Sequence, residues 1–379
     1  MDTPWPPETA DLLDRAATLL RDRRVRESLE LYDRAMALGV DALAIGGERW
    51  KAHTLLGDFD SAWAVSDAVL ARTAPDGFNP TDRPFHQRPV WNGRPFDGEA
   101  VLVRCYHGLG DILQFSRYLP LVARRASRLW VQAPVGVHAL LSGIPSVEGW
   151  LPLSDDAPMP PYTVQAELME LPFAFRTTMM SLPMAAAGIA VDPARVAAQK
   201  ARLRRRGRIS VGLAWAAGAW DGGHRSLPPD LLRRLTDAPG IDWVCLQRGA
   251  ALEEAASLPF CDTGARSEDL ADTAAMIRAV DLVLTVDTVV AHLAGTLGAP
   301  VWTMLHHEAD WRWLLDREDS PWYPTMRLLR QPAAGDWATV VERARAALVS
   351  LYSRMASDEG NQETMTYVVL TPCACPDRL

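Results

Sequence analysis

The stretch 281–304 reads DLVLTVDTVVAHLAGTLGAPVWTM, and its hydrophobic pattern changes twice. Residues 282–286 are a short apolar run between Asp281 and Asp287, the pattern of a parallel strand buried on both faces. A small-residue helix follows over 289–297, punctuated by Gly295 and Gly298, and after Pro300 the run 301–305 reads as strand again. The whole is a β-α-β unit. In an open parallel sheet ligands bind beyond the carboxyl ends of strands, where a helix N-terminus offers free N–H groups and a positive dipole to an anion. Asp287 and Thr288, where the first strand stops, and His292, one turn into the helix, are therefore candidate binding residues. Asp and Thr also cap helices, and a histidine on an apolar helix is commonly a hydrogen-bonded core residue.

The surrounding chain has 379 residues, enough for two or three domains that each bury a core. Its 48% hydrophobic and 23% charged content is that of a globular protein. No apolar run approaches the ~20 residues needed to cross a bilayer, and the N-terminal MDTPWPPETADLL is unlike a signal peptide. A soluble, cytoplasmic protein without a transmembrane segment is expected. A net charge of −8 gives no general attraction to nucleic acid, and the basic run RLRRRGR at 202–208 reads as a solvated helix end. The five cysteines form no spaced framework; Cys105 and Cys245 fall in predicted strands and read as reduced core thiols.

Four helices are expected at 8–22, 25–38, 41–57 and 60–73. Aligning RESLELYDRAMAL with DSAWAVSDAVLAR places Glu27 on Ser61, an offset of 34 residues and the tetratricopeptide period. Two units are short for an isolated array, so this segment (1–78) is expected to dock on the remainder of the chain. Residues 79–97, rich in Pro, Gly and Asn, read as a linker. Strand and helix then alternate twice: over 98–190, with strands near 100–105, 129–132 and 147–151, and over 191–345, with strands near 209–215, 242–247, 282–286 and 301–305. The loop-rich, proline-rich stretch 154–183 yields no clear element. Residues 346–379 read as a helix end and a disordered tail, whose MTYVVLTPCAC resembles the opening of bacterial ferredoxins but has too few cysteines for a cluster.

Two further loops follow strands. Gly108 and Gly110 in HGLGD let backbone approach a ligand without a Cβ in the way, and Asp111 by itself reads as the helix N-cap. The loop WAAGAWDGGHRSLP presents His224 and Arg225; an arginine there can hold a diphosphate through paired N–H bonds.

Strand, Asp287-Thr288, His292, Ala-Gly and Leu-Gly-x-Pro-Val, together with GLGDILQFSRYLP, resemble the heptosyltransferase-like (family 9) glycosyltransferases, and the wider chain resembles bacterial tetratricopeptide-repeat proteins carrying such a domain. The resemblance implies an α/β fold: a GT-B-type pair of Rossmann-like domains, the acceptor side at 98–190 and the nucleotide-sugar side at 191–345, preceded by the helical segment. It implies an inverting, metal-independent transferase whose Asp111 is general base, and whose Arg225, Asp287, Thr288 and His292 hold a nucleotide diphosphate sugar as donor substrate, with no separate cofactor. Gly108, Gly110 and the less specific His224 complete the candidate site. A glycan or protein is the implied acceptor, and the helices would recognise it or a protein partner. The glycosyltransferases often have Gly after Asp-Thr, where this chain has Val289. That departure supports the alternative, a non-catalytic adaptor with a degenerate transferase domain. Trp311, Trp313, Trp322 and Tyr323 read as stacking or, more commonly, packing residues; adjacent His306 and His307 point apart on any regular element, so no metal site is expected.

Overall fold

The computed structural model describes residues 5–73, 97–154, 158–185, 188–203, 207–218, 223–262 and 269–357. The 79–97 linker falls almost wholly outside the described residues, as does the tail beyond Ser357. The chain begins with two helical hairpins: α1 (Pro7–Arg21) with α2 (Val25–Ala37), and α3 (Gly46–Leu55) with α4 (Phe59–Thr73). The third helix starts at Gly46 rather than at 41, because residues 42–45 form turns held by the Ala44 and Gly46 N–H groups.

The next unit contains β1 (Ala100–Arg104), α5 (Leu109–Phe115), α6 (Leu119–Ala123), β2 (Arg128–Ala133), α7 (His138–Leu141), β3 (Gly149–Pro152), β4 (Val164–Glu167) and α8 (Leu171–Ala174). The helix expected after β1 is split by a 3-10 turn at Ser116–Tyr118, with Pro120 in the first turn of α6, a position where the missing proline N–H costs nothing. The four strands are all parallel in the order β3-β2-β1-β4. β4 comes from the stretch that gave no clear element: four residues with two polar side chains show no period, and tertiary pairing with β1 decides them.

The second unit runs α9 (Pro193–Leu203), β5 (Ile209–Ala214), α10 (Pro229–Thr236), β6 (Ile241–Cys245), β7 (Phe260–Asp262), α11 (Leu270–Ala279), β8 (Leu282–Val286), α12 (Val289–Thr296), β9 (Val301–Leu305), β10 (Met326–Arg330) and α13 (Trp337–Ser357). Its six parallel strands lie in the order β10-β9-β8-β5-β6-β7, the arrangement of a dinucleotide-binding Rossmann sheet, with the strand order reversing between β5 and β8. Strands β5, β8 and β9 are buried throughout, as their continuous apolar runs require. α13 continues past 345, and its Leu348 and Leu351 belong to the core beneath this sheet.

The molecule is thus an α/β protein of GT-B type, two parallel sheets with helices, preceded by an all-α segment. The two units touch through α5 and α12. Arg117 pins them further, donating to Pro183 O at 3.1 Å and to Trp322 O at 2.9 Å. The helical segment is not an appendage: Phe59, Ala62 and Trp63 lie in the same core cluster as β1, α5 and α12. Trp63 Nε1 donates to Thr177 O at 2.7 Å, Arg23 donates to Ala309 O at 2.9 Å, and Leu315 N–H donates to Leu55 O at 3.1 Å.

Candidate functional site

Each of the two sheets has a switch point, and the sequence-predicted residues follow the strands that flank it. Asp111 follows β1, Arg225 follows β5, and Asp287 and Thr288 follow β8. Thr288 is the N-cap of α12, its Oγ1 accepting from Val290 N–H at 3.2 Å, so the capping role is real; Val289, in its first turn, is half-buried. Asp287 is 6% exposed. Burial, reinforced by the like charge of Asp310, pushes its carboxyl up to about 6 against the opposing pull of Arg225 and Arg312. Arg225 Nη1 donates to the backbone carbonyl of Asp287 at 3.2 Å, which ties the loop after β5 to the end of β8. His224 is exposed beside it.

His292 is occupied by protein on every side. Its Nδ1 is 2.9 Å from the Tyr323 hydroxyl, its ring stacks on Trp313 at 5.3 Å between centroids, and its Nε2 stands 3.8 Å from Asp287 Oδ1. Burial, and then the positive charges of Arg312, Arg117 and Arg225, hold it well below the ordinary histidine value and keep it neutral. The space that Gly110 leaves is filled by this ring: a Cβ on Gly110 would sit 2.6 Å from His292 Cδ2. Gly110 therefore serves the approach of α5 to α12. Gly108 is the N-cap of α5, and its N–H donates to Asp111 Oδ2 at 3.0 Å.

Asp111 Oδ1 accepts from Arg312, a residue of the loop after β9. This ion pair crosses between the two units. Arg312 thereby links the two carboxylates, since its charge acts on Asp287 and is acted on by Asp111. Sequence reasoning passed over Arg312, although the stretch DWRWLLDR stands out for its aromatics; the signal was one arginine placed between two tryptophans and after an aspartate. It also missed Glu167, the last residue of β4 and so beside β1 at the other switch point. Glu167 is buried, with Oε1 at 3.3 Å from His107 Nε2 but not aligned for a hydrogen bond. Burial, then the negative charges of Glu170 and Asp111, push it up to about 8. The tryptophans pack: Trp311 meets Trp50, Phe59 and Phe115, and Trp322 meets Phe59 and Phe115. Among the described residues no group of three or more His, Cys, Asp or Glu side chains is arranged to hold a metal ion, and no helix is long and apolar enough to cross a membrane.

No protein-family model matches the chain. Protein FlbA of Caulobacter vibrioides is 28% identical over 361 residues, covering 85% of this chain and 55% of the relative, so the chain spans about half the length of the curated relative it matches. Among solved structures, the Escherichia coli ADP-heptose LPS heptosyltransferase II aligns with 66% of this chain and 99% of its own at 16% identity and a TM-score of 0.46. A family 9 glycosyl transferase from Veillonella parvula aligns with 72% of this chain and 94% of its own at 10% identity and a TM-score of 0.46. Likenesses at this level assign no substrate to the chain.

Proposed function

We propose that the chain is a glycosyltransferase that moves a sugar from a nucleotide diphosphate sugar to an acceptor hydroxyl, with inversion at the anomeric carbon. What supports this reading is that Arg225 donates to the backbone carbonyl of Asp287, while Arg312, paired with Asp111 of the other unit, also acts on Asp287. Arg225 and the N–H groups opening α12 are the charge partners of the diphosphate, taking the part that a metal ion plays in other transferases. Asp287 and Thr288 hold the donor, with His292 packed behind Asp287 to fix it. The acceptor oxygen forms its bond to the anomeric carbon as the bond to the diphosphate oxygen breaks. The leaving nucleoside diphosphate keeps the electron pair, and the hydroxyl proton passes to Asp111.

The helical segment, built into the same core, supplies the face beside which a glycan or protein acceptor is recognised. A second reading, an adaptor without turnover, takes its support from Val289, whose Cβ would crowd a phosphate pressed against its amide, where the resembling enzymes often carry glycine.

Calorimetric titration of the full chain with ADP, GDP, UDP and CDP, followed by measurement of nucleoside diphosphate release with candidate acceptors, tests both. A bound donor at 100 times its dissociation constant raises stability by roughly 2.7 kcal/mol, which a thermal melt resolves. Failure of wild type to bind any of them, with Arg225→Ala indistinguishable from it, sinks the transferase reading. Binding without transfer to any acceptor, with Asp111→Ala silent in every assay, favours the adaptor.

A further inference from the structure

Arg312 belongs to the second unit yet sits buried at the contact with the first, 8% exposed. Its Nη2 donates to Asp111 and its Nη1 lies 2.9 Å from Asp310 Oδ1. The guanidinium carbon lies 5.5 Å from the centroid of the Phe115 ring on α5 and 5.4 Å from that of Trp311, so the group is flanked by rings of both units. Its Nε–H is buried and, among the described residues, has no hydrogen-bond partner. A buried guanidinium donor left unpaired is costly, and its planar fork is the side-chain group best matched to phosphate oxygens. Two arginines, Arg225 and Arg312, act on Asp287 together with the like-charged Asp310. With Asp111 added, three carboxylates face two guanidinium groups. A diphosphate entering this cluster competes with these carboxylates for the two guanidinium groups, so an arginine that binds it gives up a carboxylate partner to do so.

We propose that Arg312 is a ligand of the donor diphosphate, exchanging Asp111 for phosphate oxygens when the donor binds. The inference rests on the nucleotide-sugar reading of the site and adds an order to it. Before the donor arrives, Asp111 has both oxygens engaged, Oδ1 by Arg312 and Oδ2 by the Gly108 N–H at 3.0 Å. An acceptor hydroxyl must then share Oδ1 with the Arg312 fork, which competes for the same lone pairs. Once Arg312 turns to the diphosphate, Asp111 Oδ1 is open at the moment the leaving group is in place. The donor binds first, and proton transfer without a loaded donor is suppressed.

The test is a double-mutant cycle on the full chain, titrated calorimetrically with inorganic pyrophosphate, which needs no matching base, and with ADP, GDP, UDP and CDP. Arg312→Gln is expected to weaken binding roughly 10-fold or more, the scale of one charge-assisted hydrogen bond lost. Asp111→Asn, which removes the competing charge for Arg312, is expected to tighten binding about 3-fold to 10-fold in the wild-type background, the scale of one ordinary hydrogen bond's net worth. In the Arg312→Gln background the same change is expected to do nothing. Each variant is first checked by a thermal melt. If Arg312→Gln does not fold, Arg312→Lys replaces it in both arms, since an ammonium keeps the charge but cannot present the fork. Two results overturn the exchange and leave the transferase reading standing: unchanged affinity in the Arg312 variant while Arg225→Ala weakens binding, or equal tightening by Asp111→Asn in both backgrounds, which marks simple repulsion. Wild type that binds none of the probes overturns the transferase reading and the exchange with it.

Discussion

Arg225 and Asp111 stand on opposite sides of the inter-unit contact and are expected to fail differently. Arg225→Ala removes a diphosphate partner, so donor binding weakens, and transfer slows as well because leaving-group charge grows toward the transition state. Asp111→Ala is expected to lower transfer by roughly 100-fold or more, the scale of lost general-base catalysis, with no loss of donor affinity. Single-turnover nucleotide release separates the two. Glu167 gives a prediction in stability. Its folded value, about 8, lies above the ordinary 4.5 because burial disfavours the charged form. The folded protein therefore binds this proton more tightly than the unfolded chain, and the contribution to stability falls as pH rises from the unfolded value through 8. Glu167→Gln, uncharged at every pH, is expected to melt higher than wild type at pH 8.5 and to lose most of that advantage at pH 5. A difference independent of pH would show that the folded protein holds this proton no more tightly than the unfolded chain does.

At the level of whole elements, glycines let rings close in around α12. Gly110 admits the His292 ring, and Gly295 admits Tyr323, whose Cγ would lie 2.4 Å from an added Cβ. Tyr323 in turn holds His292 through its hydroxyl. Gly110 therefore sets how closely α5 approaches α12, and Gly295 seats the tyrosine that holds His292 in that contact. Gly295→Ala and Gly110→Ala are each expected to destabilise by about 1–3 kcal/mol, the cost of overpacking a filled core, despite the better helix propensity of alanine. Urea titration reads this directly; a gain in midpoint for either would mean that the rings have room to move.

Across the whole molecule the helical segment behaves as part of one core rather than as a detachable reader. Removing residues 1–73 strips Phe59 and Trp63 from the main core and uncovers Trp311, which packs against Trp50 and Phe59. Each buried aromatic contributes about 1.5–3 kcal/mol, against a total stability of about 5–15 kcal/mol. The truncated chain is expected to lose its cooperative unfolding transition, and the loop carrying Arg312, held by Arg23 and Leu55, is expected to lose its place with it. A truncation that melts cooperatively near the wild-type temperature would return the segment to the status of an independent module.

The β-α-β unit around Asp287 was readable because strands buried on both faces leave continuous apolar runs, and because Asp-Thr before a small-residue helix marks a strand end and a cap. The same local rules located Asp111 and Arg225 just after their strands. β4 was not readable, since four residues of mixed polarity carry no period and are strand only because β1 offers them an edge. The roles of Gly110 and His292 also waited for the fold: a glycine before a helix looks the same whether it admits a ligand or a neighbouring ring. Arg312 and Asp111 are far apart in the sequence, and no local pattern pairs them. Packing of α5 on α12 makes them partners, because a buried guanidinium takes the carboxylates the fold brings within reach.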